Sequence, residues 1–225
     1  MPEKQDDHQH AGHSHGHSHG HPEGHRHPFQ PDLEDSDYSY HQVMTEAVVE
    51  LLLEKAVFTA GELRQTVESI DARSPALGAR VVARAWVDPA FKERLLKDVI
   101  TAAAELGIDA GGIPIRAVEN TAGVHNVLVC TLCSCYPRML IGLPPDWYKA
   151  RAYRSRVVRE PRAVLEEFGT KIPDDVEVRV HDSTADLRYI VLPARPADTE
   201  GLDEEALAAL VTRDCMIGTA VPRAN

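Results

Sequence analysis

The stretch that most restricts how this chain can fold runs from Val124 to Pro137. An apolar run containing Val124, Val127, Leu128 and Val129 leads directly into Cys130-Thr131-Leu132-Cys133-Ser134-Cys135, which holds three of the 4 cysteines. Cys130 and Cys133 stand in a C-x-x-C relation, so a single turn can aim both sulfurs at one point. Cys135 closes from the other side. Because only Ser134 separates Cys133 from Cys135, the amides of Ser134 and Cys135 are drawn toward whatever the sulfurs hold. A loop of this kind needs a rigid element to fix its geometry, and the apolar run supplies one as a buried strand.

An ion held here meets three sulfurs and two amide nitrogens. Zinc normally takes a tetrahedron of side-chain ligands, often from two C-x-x-C pairs on separate loops. This chain has one such cluster, and a zinc knuckle would have to borrow His125 or Cys215. A deprotonated peptide nitrogen instead demands a strong Lewis acid with a planar preference, such as trivalent low-spin cobalt or iron, and thiolates suit that ion better than magnesium or calcium. The donor set reads as a catalytic metal site.

The hexapeptide Cys130 to Cys135 resembles the metal claw of the nitrile hydratase alpha subunit. Ala85-Trp86-Val87-Asp88-Pro89-Ala90-Phe91, Val124-His125-Asn126-Val127, Gly142 to Lys149 and Arg159-Glu160-Pro161-Arg162 resemble the same family, over roughly residues 40 to 220. The resemblance implies an α+β fold, with an N-terminal helical arm followed by an α/β/β/α layered domain. Threonine at position 131 resembles the cobalt class, where iron-class claws have serine. The implied cofactor is a non-corrin Co(III) held by Cys130, Cys133 and Cys135 and by the amides of Ser134 and Cys135, with no organic cofactor. Also implied are maturation of Cys133 to a sulfinate and of Cys135 to a sulfenate, and hydration of a small nitrile to its amide, with Cys133, Ser134 and Cys135 as catalytic residues. The implied partners are a beta subunit, in a heterodimer or its dimer, and an activator protein that loads cobalt.

Residues expected to support the claw are His125, Tyr136, Arg138, Glu160 and Arg162. Many nitrile hydratases have tryptophan where this chain has Arg138, after Tyr136-Pro137. There the chain resembles the gamma subunit of thiocyanate hydrolase, whereas Gly142-Leu143-Pro144-Pro145 is nearer to nitrile hydratases. Arg138 therefore bears on substrate rather than on metal. The basic run Arg151, Arg154, Arg156, Arg159 and Arg162 has helical spacing and is expected to form a solvated face with ion pairs. Trp86, Phe91, Trp147 and Tyr148 are expected to anchor the core or an interface, and Cys215 to be a small buried residue.

The organisation along the chain follows from composition and period. Residues 1–37 repeat His with Gly and Ser (His8, His10, His13, His15, His17, His19, His21, His25, His27), which predicts a disordered tail able to gather divalent metal; a non-enzymatic metal carrier is the corresponding alternative function. Residues 38–110 read as the helical arm. Apolar residues from Val43 to Val57 recur at helical spacing, Thr59 and Glu62 form a capping box opening a helix to about Asp71, and helices are predicted over 74–87 and 89–106. Residues 111–225 read as the α+β metal-binding domain, with strands over 113–118, 124–129, 176–181 and 187–192 and helices over 146–159, 161–168 and 203–211. A net charge of -11 argues against a nucleic-acid partner. No apolar run approaches a membrane span, and no signal peptide is legible, so a cytoplasmic location is expected.

Overall fold

The computed structural model describes residues 39–71 and 73–223. The predicted tail, residues 1–37, lies outside the described residues. The fold is α+β, and its layers are arranged around two short parallel strand pairs. Strand β1 (Ile115–Glu119) pairs with β4 (Arg188–Leu192), and β2 (Val124–Val129) pairs with β3 (Glu177–Asp182). Parallel partners need long crossovers, and the β2 to β3 crossover carries α6 (Arg138–Ile141), α7 (Asp146–Lys149), α8 (Arg151–Val157) and α9 (Pro161–Glu167).

The strand pairs meet through β2 and β4. On one outer side α4 (Pro89–Lys97) and α5 (Val99–Glu105) cover β1, and on the other α9 covers β3. Strand β2 is buried along almost its whole length, with Val127, Leu128 and Val129 at 0% exposure. That is the reading of a strand covered on both faces, which needs a continuous apolar run instead of alternation. Helix α3 (Ala76–Val87) passes close to α6 and α11 (Arg213–Ile217) at Gly78, where a Cβ would lie 2.6 Å from Ile141 and 2.7 Å from Met216.

Several helices differ from the sequence expectation. The span expected over 89–106 is broken at Asp98, which adopts an extended backbone and caps α5 by accepting from the amides of Ile100 and Thr101. An aspartate at this point competes with the helical ladder for its own downstream amides, and the competition wins. The span expected over 146–159 is likewise broken at Ala150, which is extended (φ −63°, ψ 137°). No breaker residue marks that position. The break lets Trp147 and Tyr148 from α7 pack with Tyr153 from α8 and Phe168, with ring centroids 4.6–6.1 Å apart, so tertiary packing overrides helix continuity. Helices α6 and α11 were not anticipated.

Helix α1 (Tyr40–Glu54) has the expected apolar stripe and a Ser39–Gln42 capping box, and α2 (Ala60–Asp71) opens on the expected Thr59–Glu62 box. Neither helix has a buried residue. Helix α1 exposes Val43, Met44, Val48 and Leu51 by 43–51%. Full burial of such a side chain contributes roughly 1.5–3 kcal/mol, which α1 does not obtain from the described chain. No helix among the described residues is long and apolar enough to cross a membrane.

The start of β2 is tied to the far end of the chain. Gly218 follows α11 at φ +94°, and a Cβ there would lie 2.0 Å from the Asn126 carbonyl oxygen. Gly218→Ala is therefore expected to lose about 3 kcal/mol, combining backbone strain with a clash against a strand that cannot move. Gly107→Ala, also at positive φ (+70°) but with nothing within 4 Å, should lose only about 1 kcal/mol. Urea unfolding of both variants checks the order, and equal losses would contradict it.

Candidate metal centre

The loop after β2 delivers three sulfurs to one point. Cys130 Sγ lies 3.6 Å from Cys133 Sγ, which lies 3.4 Å from Cys135 Sγ, and all three fall within 4.8 Å of one another. Among the described residues this is the one group of three or more His, Cys, Asp or Glu side chains with metal-ligating proximity. Cys130 is fully buried, Cys135 half-buried and Cys133 exposed. The Cys133 amide donates to Cys130 Sγ at 3.2 Å, folding the C-x-x-C turn back on itself.

The sulfurs do not share charge equally. Hydrogen bonds from the Cys135 and Cys130 thiols and from the Ser134 amide hold the Cys133 thiol below its ordinary range, with the Cys135 amide adding to the effect. Burial, followed by the bond to Cys133, pushes Cys135 up to about 12. Sulfurs 3.4–3.6 Å apart repel one another once ionised, and positive charge offsets that repulsion. A multivalent cation supplies that charge, and the three sulfurs already converge within 4.8 Å of one another. By this observation the donor set fits a thiophilic ion.

Three elements hold the loop from outside. From the end of β3, the Asp182 carboxylate accepts from the Thr131 amide at 2.9 Å and from the Thr131 hydroxyl at 2.6 Å. From α8, Arg154 Nη1 donates to the carbonyls of Thr131 and Leu132 at 3.4 and 3.1 Å. From α7, the Tyr148 hydroxyl donates to the Cys135 carbonyl at 3.0 Å. The Leu132 carbonyl and Cys133 amide belong to one peptide unit. Arg154 thus polarises the same group that donates to Cys130, so the two bonds reinforce each other.

The residues expected to support the claw are dispersed. Tyr136 is buried directly below the loop and packs edge-on against Tyr148, with centroids 5.1 Å apart. Arg138 opens α6 and lines a cavity beside the loop. His125 lies at the opposite end of β2, roughly 16 Å of strand from Cys130. Its Nε2–H donates to the Gly218 carbonyl at 2.7 Å, which leaves Nδ1 to accept from Asn120 at 3.3 Å; burial lowers its pKa, so the ring is neutral. Glu160 accepts from Arg156 at 2.6 Å, and Arg162 donates to the carbonyls of Ile172, Pro173 and Val176. Within the basic run, Arg154 is the member bonded to the loop. Cys215 is 2% exposed and bonds to Thr212, apart from the cluster.

Asp182 is the functional residue that sequence reasoning missed. Ligands of parallel sheets sit at the carboxyl ends of the strands, and Asp182 ends β3 in register with Val129, the residue before the claw. That signal depends on β2 and β3 pairing in parallel, which the sequence does not state.

A cluster of three thiols at the end of a buried strand is the donor set of a metal-thiolate site. The family described as nitrile hydratase, alpha chain, matches residues 39–220, and the chain belongs to it. It is 59% identical over 149 residues to the low-molecular weight cobalt-containing nitrile hydratase subunit alpha of Rhodococcus rhodochrous, covering 66% of this chain and 72% of that one. It is 48% identical over 198 residues to the cobalt-containing nitrile hydratase subunit alpha of Pseudonocardia thermophila, covering 85% and 97%. A structure of recombinant thiocyanate hydrolase with partially modified cobalt centers superposes at a TM-score of 0.77, with 40% identity, over 83% of this chain and 92% of that one.

In the metal-free protein, a thiol alkylating agent near neutral pH is expected to label Cys133 first. It is exposed and its pKa is lowered, whereas Cys135 and Cys215 are raised by burial. Mass spectrometry of the peptides reads the order; initial labelling at Cys215 or Cys135 would refute it. Asp182→Ala frees both Thr131 donors and is expected to weaken metal retention on the order of 10- to 100-fold. Asp182→Asn, which keeps one acceptor, should lose less. Metal content after dialysis against a chelator measures both, and unchanged retention in Asp182→Ala would refute the clamp.

Proposed function

We propose that this chain is the alpha subunit of a cobalt-dependent nitrile hydratase, which converts a small nitrile to the corresponding amide. The observation that carries the reading is the three-sulfur cluster on the Thr131-bearing loop. Cys130, Cys133 and Cys135, with the amide nitrogens of Ser134 and Cys135, would hold a non-corrin Co(III). When bound, that ion supplies the Lewis acidity that polarises a nitrile and acidifies water.

The remaining work falls to the polypeptide. Asp182, Arg154 and Tyr148 hold the loop's own polar groups and so preserve the spacing of the donors. Buried Tyr136, next to Cys135 in sequence, packs edge-on against Tyr148 and so anchors the end of the loop. Cys133 is exposed and Cys135 half-buried, so both are the accessible sulfurs of the cluster, and Ser134 stands between them in sequence. Water adds across the C≡N bond, oxygen to carbon and hydrogen to nitrogen, and tautomerisation gives the amide. The family resemblance implies maturation of Cys133 to a sulfinate and of Cys135 to a sulfenate, oxidations of the thiols that an external oxidant would drive.

The open side of the site needs a second chain. Helices α1 and α2 have no buried residue within the described chain, which supports the arm expected over 38–110 embracing a beta subunit through its first two helices, in a heterodimer or its dimer. An activator protein that loads cobalt and a cytoplasmic setting, where free thiols persist, complete the proposal. The second reading is a thiocyanate hydrolase-like subunit, which the placement of Arg138 beside the claw favours.

The test is metal analysis of the chain co-expressed with its beta partner, followed by assay of the same sample on propionitrile and on thiocyanate. Near-stoichiometric cobalt with amide formation is expected. Release of carbonyl sulfide from thiocyanate with no nitrile turnover would move the assignment to the second reading. Zinc in the claw with neither activity would refute both.

A further inference from the structure

The two parallel strand pairs run in opposite senses. Strands β1 and β2 are joined by a turn that an antiparallel bridge between Thr121 and Val124 closes. The carboxyl ends of β2 and β3 therefore lead to the claw, whereas those of β1 and β4 open at the other end of the strands. Ligands of parallel sheets bind outside the carboxyl ends of the strands, so the fold offers two such places. At the second lies a cleft of about 280 Å³, just below the usual range for small-molecule sites and suited to a ligand of a few heavy atoms. Asn120 and Pro193, the residues that follow β1 and β4, line it, and the Asn120 amide donates to the Leu192 carbonyl at 2.9 Å. Val124, Ile172, Val176, Pro196, Val221 and Pro222 give the cleft largely apolar walls.

The polar groups around the cleft are committed in an uneven way. Acceptors are already used: Arg162 takes the carbonyls of Ile172, Pro173 and Val176, the Trp86 indole takes that of Pro193 at 2.8 Å, and the Thr199 hydroxyl takes that of Pro196 at 2.8 Å. Both ring nitrogens of His125 are bonded, to Gly218 and Asn120. Donors remain. The Thr121 hydroxyl accepts from the Gly123 amide at 3.4 Å and keeps its own proton to give. Arg195 donates through Nε to the Thr199 hydroxyl at 2.9 Å and through Nη2 to the Thr199 carbonyl at 2.6 Å, which fixes the guanidinium and leaves Nη1 over. Among the described residues no acidic side chain lines the cleft and no ion pair holds Arg195. A cleft with apolar walls, spare donors and one preset cation matches a ligand that is apolar along its body and anionic at one end.

We propose that this cleft is a binding site for a short aliphatic carboxylate, its head on Arg195 and its alkyl body against Val124, Ile172 and Pro193. A guanidinium meets a planar carboxylate with charge-assisted hydrogen bonds, and the apolar walls have no use for a phosphate or sulfate, whose oxygens all seek donors. The site forms no covalent bond and is independent of how the claw is read. A bound acid joins the 120–125, 172–176, 193–196 and 221–222 segments, so occupancy favours the folded state.

The test uses the cobalt-loaded complex of this chain with its beta subunit. Isovalerate and its neutral counterpart isovaleramide are titrated by calorimetry, and thermal unfolding is followed with and without each. Isovalerate should bind at least about 10-fold more tightly than the amide and raise the Tm. Arg195→Met should weaken isovalerate on the order of 10- to 100-fold, and Arg195→Lys should recover part of the loss. Ala194→Phe fills the cleft from an exposed position and keeps Arg195, so it should remove binding even if the loss of the Thr199 bonds unfolds Arg195→Met. Equal affinity for acid and amide, or no binding of isovalerate to the wild-type complex, would overturn the proposal. So would an affinity that Ala194→Phe leaves unchanged, which would place the acid elsewhere.

Discussion

The architecture depends on the parallel pairing of β2 with β3. That pairing carries Asp182 to the level of Val129, so its carboxylate can take both donors of Thr131. A loop with three sulfurs in six residues has no reason of its own to hold one shape, since ionised thiols repel and free carbonyls seek water. The carboxylate, the Arg154 guanidinium and the Tyr148 hydroxyl bind the loop's backbone from outside and leave the three sulfurs gathered on its other side. Ligand geometry here is a consequence of where hydrogen bonds have already been made.

The centre of the site was legible because it is local. Cys130 to Cys135 need only a turn to converge, and β2 announced itself as a continuous apolar run. The capping boxes at Ser39 and Thr59 are similarly local, although only the second was read from the sequence. What surrounds the claw was much less legible, because each supporting residue reaches it through the tertiary fold. Asp182 is 51 positions from Thr131, and Arg154 is 22 from Leu132. The helical spacing of the arginines identified a face without saying which member meets the loop, and Glu160 and Arg162 turned out to serve α8 and the 172–176 segment. Helix breaks at Asp98 and Ala150 have different origins. Asp98 is an ordinary cap residue whose competition for downstream amides can be seen in retrospect, whereas Ala150 is extended only because an aromatic cluster is better filled that way.

Electrostatic asymmetry runs through the site. Cys133 is held toward its thiolate by hydrogen bonds within the loop and Cys135 toward its thiol chiefly by burial, so the two outer sulfurs differ before any ion arrives. Farther out, the neutral His125 and the paired amides of Asn120 and Asn126 form a fully satisfied network: the Asn126 side-chain amide donates to Glu119 and Asn120, and its oxygen accepts from His181. This network carries no charge and makes rigidity its contribution.

The link between His125 and Gly218 spans 93 residues, and it places a constraint on the order of biosynthesis. The claw leaves the ribosome long before β3, and β3 before α11. While the chain is growing, the thiols exist as an unsupported tether, with neither the Asp182 clamp nor the C-terminal latch on β2. Such long-range closures form late in folding. The mature spacing of the sulfurs is therefore a property of the folded polypeptide, and an ion that demands that spacing is inserted only after β3 and α11 have been made.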